Sequence, residues 1–497
     1  MTRDNVMRRA AAANDKSLHS SPERESPRGG RRDEPTLSKQ LAAFTAGLTY
    51  EGIPSRVVRA AKLHVLDLVG VALAAYGIDA ATYAALATAD LGGVGDASVI
   101  GQTDGRPAAV AALANGTLAH AIEFDDTHTG GIAHISAVVV PASLAVAEAD
   151  QHSGRELLCA VVAGTEVTAR IAIAAAPAYM KVGFHPTSVC GVFGAAAAAC
   201  KLRGLDEPAT ANAFGIVGSF ASGLFEYLGD GTTTKAVHAG WAAHAGIVAA
   251  TLAQFGGDGP SEVLEGRFGL FPTYFGLNEP DLGADWDLGT RWETAGQALK
   301  PYPACHFING ALDAGRTMLA LGLDYHQVEQ IVVAVPEPAV PLVLEPRAHK
   351  LRPRTPFEAK FSLPFSLASL LVHGQVNVET YALERLEDRE VLCLARQIHH
   401  EIEEFEHYPR VLPTRVNAYM RDGTVLTELS PKSAQPRPIT AEETRSKFRR
   451  NVALSLEDAQ ADHLENELVG LEKSGDLRAS LAVLRQARRR RSAMASD

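Results

Sequence analysis

The chain is 497 residues long and carries 47 basic against 58 acidic side chains, a formal charge of -11. Its overall field therefore repels nucleic acid and anionic membrane, and an anionic ligand must be drawn in by a few local cations. Five cysteines without a CxxC pair argue against a disulfide framework or an iron–sulfur cluster and suit a reducing compartment.

Residues 1–34 are rich in Arg, Ser, Glu, Gly and Pro and poor in large apolar groups, so they are expected as a disordered tail. Arg8 and Arg9 are followed by no apolar leader, and acidic residues run through the segment; the expectation is a cytoplasmic protein. From 35 to 297 the chain reads as helix-length blocks. Val58, Ala61, Val65, Leu68, Val69 and Ala72 fall at spacings of three and four, which predicts an amphipathic helix from Pro54 to Ala75. The stretches 131–148 and 155–177 are apolar but broken by His134 and Pro141, or by Arg155, Glu156, Glu166 and Arg170, so no transmembrane helix is predicted. Gly191 to Lys201, with Ala195 to Ala199 unbroken, combines high helix propensity with side chains small enough for close packing.

Composition changes after Lys300. Gln330 to Val335 reads as a strand stopped by Pro336, and Arg415 to Met420, Asp422-Gly423 and Thr424 to Leu429 read as a hairpin. Residues 298–438 are thus a smaller α+β lid domain. Thr440 with Glu443 three positions on forms a capping-box pattern, and 439–484 is expected to rejoin the first domain. Residues 485–497, with Arg488 to Arg491, close the chain as a solvated basic tail. The fold class is mainly α: a large discontinuous helical domain plus a smaller α+β lid domain.

Four segments concentrate chemistry. Glu123, Asp125, Asp126, Thr127 and His128, followed by His134, place carboxylates, a hydroxyl and imidazoles in apolar surroundings where they need partners. A capped acidic helix end is the plainer reading. A divalent metal on Asp125, Asp126, His128 and His134 is a third, weakened because Thr129 and Gly130 stand where a paired-Asp metal motif would continue. Gly183 to Ser188 contains His185 and opens the small-residue helix, whose free amides suit a carboxylate; a satisfied loop histidine is the alternative. Gly229 to Lys235, then His238 and His244, lacks the Gly-Lys-Ser/Thr ending of a phosphate loop but offers amides, hydroxyls and a cation, or simply an exposed turn. Lys300-Pro301-Tyr302-Pro303-Ala304-Cys305-His306 lies at the predicted domain junction, a common place for small-molecule sites. No GxSxG or QAC motif supports Cys305 as a nucleophile.

In order, these segments resemble the MmgE/PrpD family, which includes 2-methylcitrate dehydratases, cis-aconitate decarboxylases and an iminodisuccinate epimerase. The likeness runs from about Leu37 to Leu484 and includes Phe124-Asp125-Asp126-Thr127-His128, Gly183-Phe184-His185-Pro186, Thr234-Lys235, Lys300-Pro301-Tyr302-Pro303 and Glu358 to Pro364. It implies a homodimer with a site between the two domains, and it assigns Thr127, His134, His185, Lys235 and Lys300 to that site. Glu123 stands where the decarboxylase pattern has Asp, Cys305 where it has His, with His306 adjacent, and Phe365 where it has Tyr.

The resulting expectation is a cofactor-independent lyase, with no metal, acting on a small di- or tricarboxylic acid, dehydrating it as a 2-methylcitrate dehydratase does. Catalysis would fall to His134, His185 and Lys235, with Glu123, Asp126, Thr127, Lys300, Cys305 and His306 binding substrate. Decarboxylation of cis-aconitate and epimerisation of an iminodicarboxylate fit the same residues. So does a non-catalytic polycarboxylate-binding protein, given the three departures.

Overall fold

The structure is a computed structural model and describes residues 35–176, 178–278, 280, 285–408, 411–431 and 440–490; the expectations for 1–34 and 491–497 lie outside these. Leu37–Gly47 (α1) begins where the Thr36 side chain accepts from the Lys39 amide. Ser55–Gly77 (α2) buries Ala61, Val65, Leu68, Val69 and Ala72 of the predicted stripe, with Val57 buried and Val58 half-buried at its start, and leaves Arg56 and Arg59 exposed, as an amphipathic helix requires. The longer helices then run Thr82–Leu91 (α3), Ala108–His120 (α4), Ser136–Asp150 (α5), Gly154–Ala175 (α6), Pro186–Leu202 (α7), Glu207–Val217 (α8) and Thr234–Gln254 (α9).

Glycine decides how α4, α7 and α9 meet. A Cβ on Gly240 of α9 would stand 2.2 Å from the Leu113 carbonyl of α4, and one on Gly246 would stand 2.4 Å from the Ala195 side chain of α7. Backbones this close exclude any larger residue. Gly116 of α4 faces Gly240 at the same crossing, so the end of α4 and the start of α9 fall on one side of the bundle. The start of α7 lies there too, where the Ser188 hydroxyl donates to the His238 carbonyl oxygen at 3.2 Å. His120, His185 and Lys235, far apart in sequence, thereby share one end of the bundle.

Among the described residues two helices, Gly154–Ala175 and Thr234–Gln254, are long and apolar enough to cross a membrane, but their apolar windows are 94% and 67% buried inside the fold. They are core elements, α6 and α9.

The second unit has its own core. It contains His306–Ala320 (α10), Val328–Val335 (β1), Leu363–His373 (α11), Arg389–Arg396 (α12), Ile398–Ile402 (β2), Thr414–Met420 (β3) and Val425–Ser430 (β4). The sheet order is β2-β1-β3-β4. β3 and β4 form the predicted hairpin, with Arg415 opposite Leu429 and the Asp422 carboxylate accepting from the Thr424 amide at 2.9 Å. β1 starts earlier than the β-rich run suggested. β2, parallel to β1 with Ile331 opposite Ile398, was not foreseen: Ile-His-His-Glu-Ile carries too little apolar side chain to read as a strand.

Ala441–Val452 (α13) forms with the predicted capping box at Thr440 and Glu443. Together with Asp458–Val469 (α14) it returns to the first core: Phe448 presses on Gly70 of α2, where a Cβ would come within 2.9 Å of the ring. In the described part of the expected basic tail, Ala487 belongs to the first core, while Arg488, Arg489 and Arg490 are exposed; Arg489 pairs with Asp79 at 3.4 Å and Arg490 with Glu379 at 2.7 Å.

Candidate active site

The chain leaves α4 at His120 and turns through Glu123, a non-glycine residue with a left-handed φ of 57°. Such a backbone is disfavoured and persists only where the surroundings hold it. Here two lysines do so. Lys235, at the start of α9, donates to the Glu123 carboxylate, and the Lys300 ammonium lies 3.1 Å from the Glu123 carbonyl oxygen and 3.5 Å from its carboxylate. All three residues are buried. Burial alone pushes the Glu123 carboxyl up, but the Lys235 and Lys300 ammonium groups outweigh it and hold the carboxyl at about 2. From the second unit, the Phe361 ring stands 5.2 Å from the Lys235 ammonium, and Lys360 is buried close by, its pKa pushed down to about 8 by burial.

Beside this cation pair lie four imidazoles. The His120 ring stacks on His185 at 5.5 Å and lies 5.1 Å from His134; His185 and His238 bring their Nδ1 atoms to 3.1 Å. His134 Nδ1 donates to the Asp126 carbonyl oxygen at 2.8 Å and lies 3.2 Å from the Thr127 hydroxyl. A carbonyl only accepts, so neutral His134 keeps its lone pair on Nε2 and is set up as a base. Burial, reinforced by Lys300, lowers the His134 pKa well below the usual histidine range. Burial and the adjacent imidazoles and Lys235 do the same to His185. Asp125, by contrast, is pushed up by burial but brought far below the ordinary carboxylate range by His120 and His134.

The structure therefore brings His134, His185, Lys235, Lys300, Glu123 and Thr127 together. It corrects the expectation for Asp126: this carboxylate is committed inward, accepting from the Ser136 hydroxyl and amide with His64 Nδ1 at 2.7 Å. What reaches the site is the Asp126 backbone oxygen, which orients His134. Cys305 is buried, with its thiol pushed up by burial and the Glu123 carboxylate, so it is a thiol and a poor nucleophile. His306 opens α10, where burial and Lys300 lower its pKa to about 3. Its Nδ1 has no hydrogen-bond partner among the described residues, and its ring lies on the Lys300 side of the site, outside the contacts among the four imidazoles. Phe365 is packed into the second core.

The metal reading meets competing commitments. Asp125 binds His120, Asp126 binds Ser136, and His128 is held by Glu293 at 2.9 Å and by the Gly131 amide at 3.0 Å. Among the described residues no group of three potential ligands is disposed around one point.

Several residues were missed. His120 has a legible signal, five positions before Asp125 at a helix end. Tyr227 does not: it is buried between His185, His238 and Phe357 by a loop whose path the sequence does not fix. Lys447 of α13 binds Asp67 at 2.8 Å and the Phe124 carbonyl at 2.8 Å, supporting the Glu123–Asp126 segment from behind. A cavity of about 470 Å³ lies against this cluster, with Tyr227, Thr234, His238 and Trp241 among its walls.

Comparison with known proteins decides the family. The MmgE/PrpD N-terminal domain matches residues 39–283 and the MmgE/PrpD C-terminal domain residues 302–472. The chain belongs to the MmgE/PrpD family. Among MmgE/PrpD relatives, a cis-aconitate decarboxylase-like protein of Aspergillus oryzae is 28% identical over 91% of this chain and 98% of its own length. Cis-aconitate decarboxylase of Mus musculus is 27% identical over 89% of this chain and 91% of its own. The Homo sapiens enzyme is 28% identical, with 90% and 95% covered.

Proposed function

We propose that this MmgE/PrpD protein is a lyase that decarboxylates a small unsaturated tricarboxylate of the cis-aconitate type. The observation that carries the reading is the convergence of Lys235 and Lys300 on one buried carboxylate, Glu123, beside His134 and His185. A site that holds its own carboxylate between two ammonium groups has the chemistry to hold a substrate carboxylate there instead. The full-length similarity to cis-aconitate decarboxylases favours this reaction over the 2-methylcitrate dehydration expected from sequence.

In the reaction, the bond to one carboxylate breaks and carbon dioxide leaves. Its electron pair passes into the adjoining double bond, and charge builds on a second carboxylate. Lys235 and Lys300 stabilise that charge, an effect worth about 3–4 kcal/mol per well-placed donor. One proton then forms the new C–H bond, with His134 and His185 beside the reacting carbon to move it. The family resemblance further suggests a homodimer, and five cysteines without a CxxC pair suit a reducing, cytoplasmic location.

The test is to incubate the protein separately with cis-aconitate, 2-methylcitrate, citrate and iminodisuccinate and identify products by NMR. Release of carbon dioxide from cis-aconitate is expected. Dehydration of 2-methylcitrate alone would restore the hydro-lyase reading, and binding without turnover of any compound would favour a non-catalytic protein.

A further inference from the structure

Decarboxylation consumes a proton at every turnover, so the site needs a group that holds one and is reloaded. His134 presents its lone pair from Nε2, as its hydrogen bond to the Asp126 carbonyl dictates. The Nδ1 of His185 meets another imidazole, that of His238, at 3.1 Å. His120 is differently placed. Its Nδ1 lies 2.7 Å from the Asp125 carboxylate, the side chains of both residues are inaccessible to solvent, and its ring touches both His134 and His185. Its Nε2 and the second oxygen of Asp125 are buried and have no hydrogen-bond partner among the described residues. Buried polar atoms are normally satisfied, and a purely structural His–Asp pair has no reason to leave an outward nitrogen unpaired between two other imidazoles.

We propose that His120, tethered by Asp125, is the proton store of the site: it gives one proton per turnover toward the reacting carbon through the adjoining imidazoles and takes one back from solvent. This rests on the decarboxylation reading. Asp125 fixes the ring and balances its positive charge, as a buried carboxylate does for a working histidine. The groups facing His120 are Asp125, His134 and His185, with Lys235 and Lys300 a step beyond around Glu123. The proton balance closes: His120 loses a proton, a C–H bond forms at the carbon beside the second carboxylate that received the electron pair released with carbon dioxide, and solvent restores the proton without any oxidant or reductant.

The test uses the full chain. His120→Gln is expected to lower kcat for cis-aconitate about a hundredfold, the lower range for loss of an acid–base group. KM, and the affinity for tricarballylate as a non-reacting tricarboxylate, should stay within about threefold. The solvent deuterium isotope effect on kcat should rise, and added imidazole should restore part of the activity of His120→Gly. Asp125→Asn, nearly isosteric, should lower kcat in the same sense and serves if the His120 variants do not fold. Turnover by His120→Gln within about threefold of the unaltered protein would overturn the proposal. So would affinity falling in step with kcat, with no imidazole rescue, since that marks a structural pair. An unaltered protein inert toward cis-aconitate would instead refute the decarboxylation reading, and the relay with it.

Discussion

Replacing Glu123 with Gln tests the electrostatics at the heart of the site, because stability and ligand binding should move in opposite directions. A carboxyl held at about 2 against its ordinary 4.5 has its charged form favoured by about 3 kcal/mol, at about 1.4 kcal/mol per tenfold. That stabilisation is present above pH 4.5 and is lost as pH falls toward 2. Glu123→Gln should therefore lower unfolding stability by about 3 kcal/mol at pH 7, and by half of that or less at pH 3. Meanwhile Lys235 and Lys300 no longer have a resident anion to exchange for a ligand. A charge-assisted hydrogen bond contributes about 1.5–3 kcal/mol, so the variant should bind tricarballylate at least about tenfold more tightly. Urea unfolding at the two pH values and isothermal titration would measure both. Weaker binding by the variant, or a stability difference that does not change with pH, would refute the idea that Glu123 occupies the place of a substrate carboxylate.

Lys235→Met should reduce turnover by about a hundredfold or more while Glu123 keeps its contact with Lys300; kinetics alongside thermal unfolding would check this, and loss of folding would mark Lys235 as structural. Lys447→Met leaves the buried Asp67 carboxylate unpaired and should cost about 3–5 kcal/mol, with part recovered by adding Asp67→Asn, as urea midpoints would report. His134 and His185 resist protonation in the fold, so stability should fall as pH drops below 6.5, where the unfolded chain takes up protons that the folded one refuses. That slope should shrink in His134→Gln.

Local patterns along the chain mark many of the elements and the inventory of chemistry. Apolar spacing marked α2, the alanine run marked α7, Asp422-Gly423 marked the β3–β4 turn and Thr440 with Glu443 marked the start of α13, because each is a local property of neighbouring residues. Motif order brought out His134, His185, Lys235 and Lys300 in the same way. What those residues face depends on how distant helices pack. Glycine contacts between α4, α7 and α9 turn His120 into the imidazole that touches both His134 and His185, and the left-handed turn at Glu123 makes an acidic neighbour the shared partner of two lysines. Asp126 looked like a ligand-binding carboxylate until Ser136 and His64 took it. Lys447 arrives from the far end of the chain to bind Asp67. Burial and pairing between distant segments set the charge state of a titratable group, and a linear pattern of residue types does not specify which distant segments will meet.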